Sequence, residues 1–237
     1  LTDARLWMDA WNLSGDLNKI ALQYGAELQD ATTFLNAARA RRAGLKDVAL
    51  ALEGFWNGGV DQVDEVLFNR IGVADVPVTV VPSAGAVGDI GFSFRAALGQ
   101  YAPGASVGEM FKFSVDAEGS ADLLFRGHLL HNGSQSGNGN GTAVNEGAVG
   151  ASQKLYAVLH VLDVTGGGTW TIKVQSDDAQ GFASAIDRIT FAAVTAKGSQ
   201  WATPLAGAIS DTWWRVNFAV AGGSGNNITF VVLIGIQ

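Results

Sequence analysis

Val48-Ala49-Leu50-Ala51-Leu52-Glu53-Gly54-Phe55 sets its larger side chains, Val48, Leu50, Leu52 and Phe55, mostly two residues apart. Side chains alternate between the faces of a strand, so this spacing predicts a half-buried β-strand. Phe111-Lys112-Phe113-Ser114-Val115-Asp116 repeats the pattern, with aromatics on one face and polar groups on the other. Outward from these runs, strands are expected at Arg5–Leu13, Leu17–Tyr24, Leu45–Trp56, Val76–Val81, Ile90–Leu98, Glu109–Ala117 and Ala121–Leu130. Five more are expected at Lys154–Val164, Thr169–Ser176, Ile186–Val194, Trp213–Ala221 and Ile228–Ile236. Short β-branched and aromatic runs punctuated by 31 Gly and only four Pro point to a mainly β chain.

One segment has a different period. In Val60–Ile71, the residues Val60, Val63, Val66, Leu67 and Ile71 form a helical apolar stripe. Asp61 and Asp64 suit the positive end of a helix dipole, Arg70 suits the negative end, and Gly72 is a stop signal. One amphipathic helix is expected there, and Ala31–Arg42 reads equally as a weak helix or a long loop. The run 132–150, NGSQSGNGNGTAVNEGAVG, is rich in Gly and Asn and offers almost nothing to anchor a core. It is read as a linker or long loop between a domain at 1–131, helix included, and a second β-sandwich at 151–237. The hairpin pattern of Leu6–Leu13, Ser14-Gly15 and Ile20–Gln23 recurs as Leu155–Val164, Thr165-Gly166 and Ile172–Gln175. Duplication explains this, and so does the commonness of hairpins.

Of the 237 residues, 48% are apolar and only 16% charged, which excludes disorder. So few charges suggest a surface hidden against something, most simply other copies of the chain. The net charge of −7 is local: residues 1–150 hold 17 acids and 10 bases, and 151–237 hold five of each. A nucleic-acid binder that gains affinity by neutralising phosphates would show the opposite balance. The longest apolar run, Ile228–Ile236, is too short to span a membrane, so no membrane insertion is expected. LTDARLWMDAW shows neither part of a secretory signal.

Chemistry-bearing residues are sparse. There is no Cys, and His128 and His131 lie three apart on a strand and so face opposite ways, while His160 stands alone. Ser176-Asp177-Asp178 lacks the spacing of a calcium loop and reads as a turn cap. No catalytic, metal or cofactor residue is nominated, and no enzyme is expected. Seven Trp remain: Trp7 and Trp11 share parity, whereas Trp213 and Trp214 face opposite sides of their strand. Trp201, Trp213 and Trp214 are therefore candidates for a subunit contact or ligand face of the C-terminal domain. Arg39, Arg41 and Arg42 form the one basic cluster, read either as a solvated loop or as an anchor for a neighbouring copy's carboxylates.

LWMDAWNLSGDLNKIALQYGAELQDATTF followed by RRAGLKDVALALEGFW resembles the major tail (tail tube) proteins of bacteriophages with long non-contractile tails. The pattern is a Leu13-Ser14-Gly15-Asp16 turn, a strand, a long polar loop with Asp30-Ala31-Thr32-Thr33-Phe34, then Gly44-Leu45-Lys46-Asp47 and a strand ending Glu53-Gly54-Phe55-Trp56. It covers about residues 1–130. The resemblance implies a tail-tube-type β-sandwich with one flanking helix, joined here to a C-terminal sandwich or jelly-roll-like domain. It implies a structural virion protein, made in the host cytoplasm, whose copies close into rings of six domains. Trimers would supply six if both halves are tube-like, hexamers if only the first is. The rings stack into a channel that holds a tape-measure protein, meets tail terminator and tip proteins, and passes DNA without binding it specifically. In this pattern the loop Gly25–Ala43 makes the ring-to-ring contact, with Asp30, Thr32, Thr33, Phe34, Arg39, Arg41 and Arg42 as contact candidates. An acidic lumen would draw on Asp61, Asp64, Glu65, Asp89, Asp116 and Glu118. The alternative reading is a carbohydrate-binding or adhesin sandwich that uses its Trp residues for stacking.

Overall fold

The computed structural model describes residues 3–35, 37–121 and 123–237. In chain order, β1 (Arg5–Met8) and β2 (Trp11–Asn12) precede the long strands β3 (Leu17–Asp30) and β4 (Arg41–Phe55). Helix α1 (Val63–Phe68), β5 (Val76–Val81), β6 (Ile90–Gly104), β7 (Lys112–Gly119) and β8 (Phe125–Gln135) follow. Short β9 (Gly139–Asn140) and β10 (Val144–Asn145) lead to β11 (Lys154–Thr165), β12 (Thr169–Asp177) and β13 (Ile186–Thr190). The chain ends with β14 (Gly198–Trp201), β15 (Leu205–Ala206), β16 (Trp213–Ala221) and β17 (Asn227–Ile236). The protein is mainly β, as its alternation predicts.

Two compact units form, both from separated stretches of chain. The sandwich unit combines the N-terminal segment through Gly15 with Pro77–Phe94 and Phe125–Gln237, and the hairpin unit combines Asp16–Val76 with Arg95–Leu124. The expected division at 132–150 is therefore displaced. That run lies within the sandwich unit, where β8 continues to Gln135 and both β9 and β10 pair with β16. Its Gly and Asn residues are held by backbone and side-chain bonds: Gly141 N donates to Val216 O at 2.7 Å, and Asn138 Oδ1 accepts from Val220 N at 2.7 Å. Composition alone does not register such bonds.

In the sandwich unit, β14, β11, β17 and β8 run side by side from one end of a sheet, and β10, β16, β12 and β13 form the other. Ile228, Phe230, Val232 and Ile234 of β17 join Leu155, Ala157, Leu159 and Val161 of β11 on one face. Trp170, Ile172, Val174, Trp214, Val216 and Phe218 close that core from the second sheet. A second buried cluster joins Val158, Val231 and Leu233 with Trp7, Val81, Phe125 and Leu129. A sheet buried on both faces needs apolar residues at every position, which accounts for the unbroken run in β17. Trp7 and Trp11 do not share one strand. Asp9, with φ of 51°, turns the chain, and Trp11 pairs with Met8.

The hairpin unit is built on the order β3-β4-β7-β6, with β6 contributing its second half. Leu50, Leu52, Phe113, Val115 and Leu98 are buried on one face. Tyr101, opposite Val115, lies on that face too, and its hydroxyl donates to Asp64 of α1 at 2.6 Å. Val63, Val66 and Leu67 of the helix are buried, as the stripe predicts. The helix is shorter than Val60–Ile71. Asp61 adopts a positive φ of 59° before it, and after Phe68 the bonding tightens to three-residue turns, Arg70 N donating to Leu67 O at 3.1 Å and Ile71 N to Phe68 O at 3.4 Å. Gly54 is required where Phe55 N donates to Asp16 O at 2.8 Å, since a Cβ there would lie 2.2 Å from that oxygen.

Candidate assembly surface

The strands take up much of the stretch after Tyr24 that the resemblance assigns to a long loop. β3 runs on to Asp30 and β4 begins at Arg41, leaving a connection of only Ala31–Ala40. β7 supports β4 from Ala49 to Phe55 alone, so the pairs from Tyr24 opposite Val48 to Asp30 opposite Arg41 stand as a two-stranded ribbon. Six steps of strand carry this overhang about 20 Å beyond the three-stranded part. Gln23–Asp30 and Arg41–Asp47 are exposed throughout.

The seven contact candidates come together at this end, in two roles. The Asp30 carboxylate accepts from Thr32 N at 2.9 Å and from the Thr32 hydroxyl, whose oxygen in turn accepts from Ala40 N at 3.0 Å. The Thr32 hydroxyl, followed by its amide, holds the Asp30 carboxyl below its ordinary range. Asp30 and Thr32 therefore build the turn. Phe34 is fully exposed, as is Leu35, and Thr33, Arg39, Arg41 and Arg42 are exposed too. Leu35, Leu28 and Leu45, also exposed, carried no signal in the sequence beyond ordinary apolar residues in a polar stretch.

The other end of the same sheet is aromatic and acidic. Phe55 lies opposite Lys112, Trp56 N donates to Phe111 O at 3.0 Å, and the two rings meet edge to face at 5.5 Å between centroids. Val60, Val107, Met110 and Phe111 are exposed around them. Asp61, Asp64, Glu65 and Glu109 belong to this end, against Arg70 and Lys112. Glu65 accepts from Asp61 N at 2.9 Å, and burial together with Asp64 pushes the Tyr101 hydroxyl pKa up.

Strand register also sorts the acids. Asp116 and Glu118 lie opposite Ala51 and Ala49, on the sheet face turned away from Tyr101, with Glu53, Ser114, Gln100, Ala21 and Gln23. This face is open and mostly made of small side chains. Glu53, missed in the sequence, is ion-paired with Lys19. The six lumen candidates do not gather on it. Asp61, Asp64 and Glu65 sit at the start of the helix, and Asp89 belongs to the sandwich unit. There it accepts from the Ser83 hydroxyl at 2.7 Å, Gly85 N at 3.0 Å and Ala86 N at 2.8 Å. The Ser83 bond leads in lowering its pKa, burial opposes it, and the Ala86 and Gly85 amides add to the lowering. Asp89 is a loop cap.

The three tryptophans set aside for a ligand face do not make one platform. Trp214 is fully buried and donates from its indole to Gly147 O at 2.9 Å. Trp201 is half-buried, edge-on to Phe125 at 5.3 Å, and Trp213 is half-buried on the outer side of β16. Of the histidines, His128 bonds Glu146, His131 stacks on Phe230 at 4.1 Å, and His160 is wholly enclosed. Asp177 accepts from Ala179 N at 3.0 Å and Ser184 N at 2.7 Å, closing a turn.

No known family model matches the sequence, and no curated protein does. Among solved structures, a chain of the virion of a native gene transfer agent particle is 14% identical with a TM-score of 0.41, over 52% of this chain and 94% of that one. A chain from the tail of an empty gene transfer agent particle, of C6 symmetry, is 13% identical with a TM-score of 0.37, over 50% and 92%. The SPP1 Dit (gp 19.1) protein, described as a paradigm of the hub adsorption apparatus in phages infecting Gram-positive bacteria, is 10% identical with a TM-score of 0.39, over 99% of both chains.

Proposed function

We propose that this chain is a structural virion subunit, the major subunit of a tail tube, and that its copies form rings stacked into a channel for genome delivery. The observation that carries this reading is the hairpin unit. It has an open sheet face, an exposed edge strand, an apolar and basic tip at one end and an aromatic and acidic rim at the other. An unprotected strand of 14 residues is an aggregation hazard in a monomer and a joint in an assembly. Lateral pairing at β3 closes the ring. Unlike surfaces at opposite ends of one sheet make a head-to-tail contact, which repeats without closing and so builds a stack. Phe34 and Leu35 supply the buried area, and Arg39, Arg41 and Arg42 meet Asp61, Asp64, Glu65 and Glu109 of the next ring.

Each chain carries one such sheet, so a ring of six domains takes six copies. The face with Asp116, Glu118 and Glu53 lines the channel. Its small side chains and lack of surplus positive charge give DNA no phosphate contacts to hold it. The tape-measure, terminator and tip proteins are the partners this role requires, and the virion tail is its place. Negative-stain microscopy of the concentrated protein tests the proposal. Rings of constant diameter and tubes built from them are expected, and a monodisperse monomer at high concentration overturns it. The carbohydrate-binding alternative is not favoured, since Trp214 is enclosed and Trp201 packs on Phe125.

A further inference from the structure

The sequence contains four Asn-Gly pairs: Asn57-Gly58, Asn132-Gly133, Asn138-Gly139 and Asn140-Gly141. In such a pair the following backbone nitrogen can attack the side-chain amide, because glycine places no side chain in its path. A folded backbone prevents this wherever that nitrogen or the Asn side chain is fixed.

Three of the four pairs are fixed. Gly133 lies in β8 opposite Phe230, and Asn132 Nδ2 donates to Gly85 O at 2.8 Å. Gly139 lies in β9 opposite Phe218, and Asn138 is held by Val220 N. Asn140 Oδ1 accepts from Asn217 Nδ2 at 2.9 Å, and Gly141 N donates to Val216 O at 2.7 Å. Asn57 and Gly58 differ: both are exposed and lie between β4 and α1, outside any strand or helix. Gly58 N makes no hydrogen bond among the described residues. The Asn57 side chain has one bond, from Nδ2 to Gln62 Oε1 at 2.9 Å.

We propose that Asn57-Gly58 is a site of spontaneous covalent modification in the folded protein, where the Asn57 amide converts to a carboxylate through a succinimide. The Gly58 nitrogen bonds to Asn57 Cγ, the bond from Cγ to Nδ2 breaks, and ammonia departs with the proton given up by Gly58. Water then opens the ring. Cleavage of the new bond leaves aspartate, and cleavage of the original peptide bond leaves isoaspartate with the chain running through the side chain. No oxidant or enzyme takes part. Aspartate adds a charge beside Asp61 and Asp64. Isoaspartate lengthens the backbone next to the Asn57 carbonyl, which accepts from Asp64 N at 3.2 Å at the start of α1. The reaction therefore alters both the charge and the helix anchor at the aromatic end of the hairpin unit.

The test is peptide mapping by mass spectrometry of the full chain, held folded at mildly alkaline pH and body temperature beside a sample kept in denaturing urea. In the folded sample, Asn57 is expected to convert at least about tenfold faster than Asn132, Asn138 and Asn140, and in urea all four convert at similar rates. The variant Asn57→Gln, which disfavours the five-membered ring, removes the product from that peptide while the other three are unchanged. Conversion at Asn57 no faster than at the three strand-held pairs in the folded protein overturns the proposal.

Discussion

His160 Nδ1 donates to the backbone oxygen of Asp9 at 2.7 Å, across 151 positions of sequence. A carbonyl only accepts, so this bond fixes the proton on Nδ1 and leaves Nε2 to accept from the Thr79 hydroxyl at 2.8 Å. Ser93, 3.0 Å from Thr79 Oγ1, donates onward to Val78 O at 2.8 Å. One neutral imidazole thus ties the β1–β2 turn to β11 and β5. Asp9, the charged group acting on it, has its own carboxylate bonded by Ser199 at 2.6 Å.

Complete burial lowers the His160 pKa from 6.5 to about 4, with Asp9 opposing. Between those values the unfolded chain binds a proton that the folded chain does not. The stabilisation is therefore complete above pH 6.5 and is lost as pH falls toward 4, by about 3 kcal/mol in all. Urea midpoints measured across that window should drop more steeply for the native chain than for His160→Gln. Equal slopes would remove His160 from the account.

Tyr101 and Asp64 provide a second test. Their bond joins the sheet to α1, and its acceptor is a carboxylate, so Tyr101→Phe should cost about 1–3 kcal/mol. Amide exchange should rise in Val63–Phe68 and remain slow in β11 and β17. A variant as stable as the native chain, with no change in helix exchange, would show that Val63, Val66 and Leu67 hold the helix unaided.

Much of this was legible in the sequence, for physical reasons. Val48, Leu50 and Leu52 alternate with smaller residues because one face of their sheet is buried, as are Phe113 and Val115, whereas Phe55 and Phe111 are exposed at the end of the sheet. Of the helical stripe, Val63, Val66 and Leu67 are buried, and Val60 and Ile71 are exposed. The overhang was not legible. Gly25–Asp30 and Arg41–Gly44 are exposed on both faces, so no apolar pattern marks them as strands. Nor was the division into units, because β1 pairs with β5 more than 70 positions later and only long-range register records it. The contact candidates at 30–42 lie together at one end of the ribbon, while the acids are scattered, since acidic residues also cap loops, as Asp89 does.

Two glycines separate close packing from simple turn chemistry. Gly54→Ala would drive a Cβ to 2.2 Å from Asp16 O and 2.8 Å from the Phe113 ring, and a loss of about 2–4 kcal/mol is expected. Gly15, in the Leu-Ser-Gly-Asp turn, has no atom within 4 Å of the corresponding position, so Gly15→Ala should stay within about 0.5 kcal/mol. Thermal unfolding of the two variants checks both statements, and similar losses would contradict the crossing at Asp16.

The tip is the sharpest test of the proposed stacking, because its side chains have little part in folding. Phe34 and Leu35 are fully exposed, so Phe34→Ser with Leu35→Ser should leave the unfolding midpoint nearly unchanged. If these residues are buried between rings, the same pair should raise the concentration needed for tube formation at least about tenfold, a change of about 1.4 kcal/mol. Arg39→Glu, Arg41→Glu and Arg42→Glu together should act in the same direction and more strongly at low salt. Adding Glu65→Lys and Glu109→Lys to those three reversals restores opposite charges across a head-to-tail contact and should recover tubes, because like charges brought together are penalised and exchanged charges are not. Sedimentation and microscopy read both arms. Recovery ties the arginine tip to the acidic rim, whereas loss of tubes without recovery would place the tip against some other surface of the neighbouring ring.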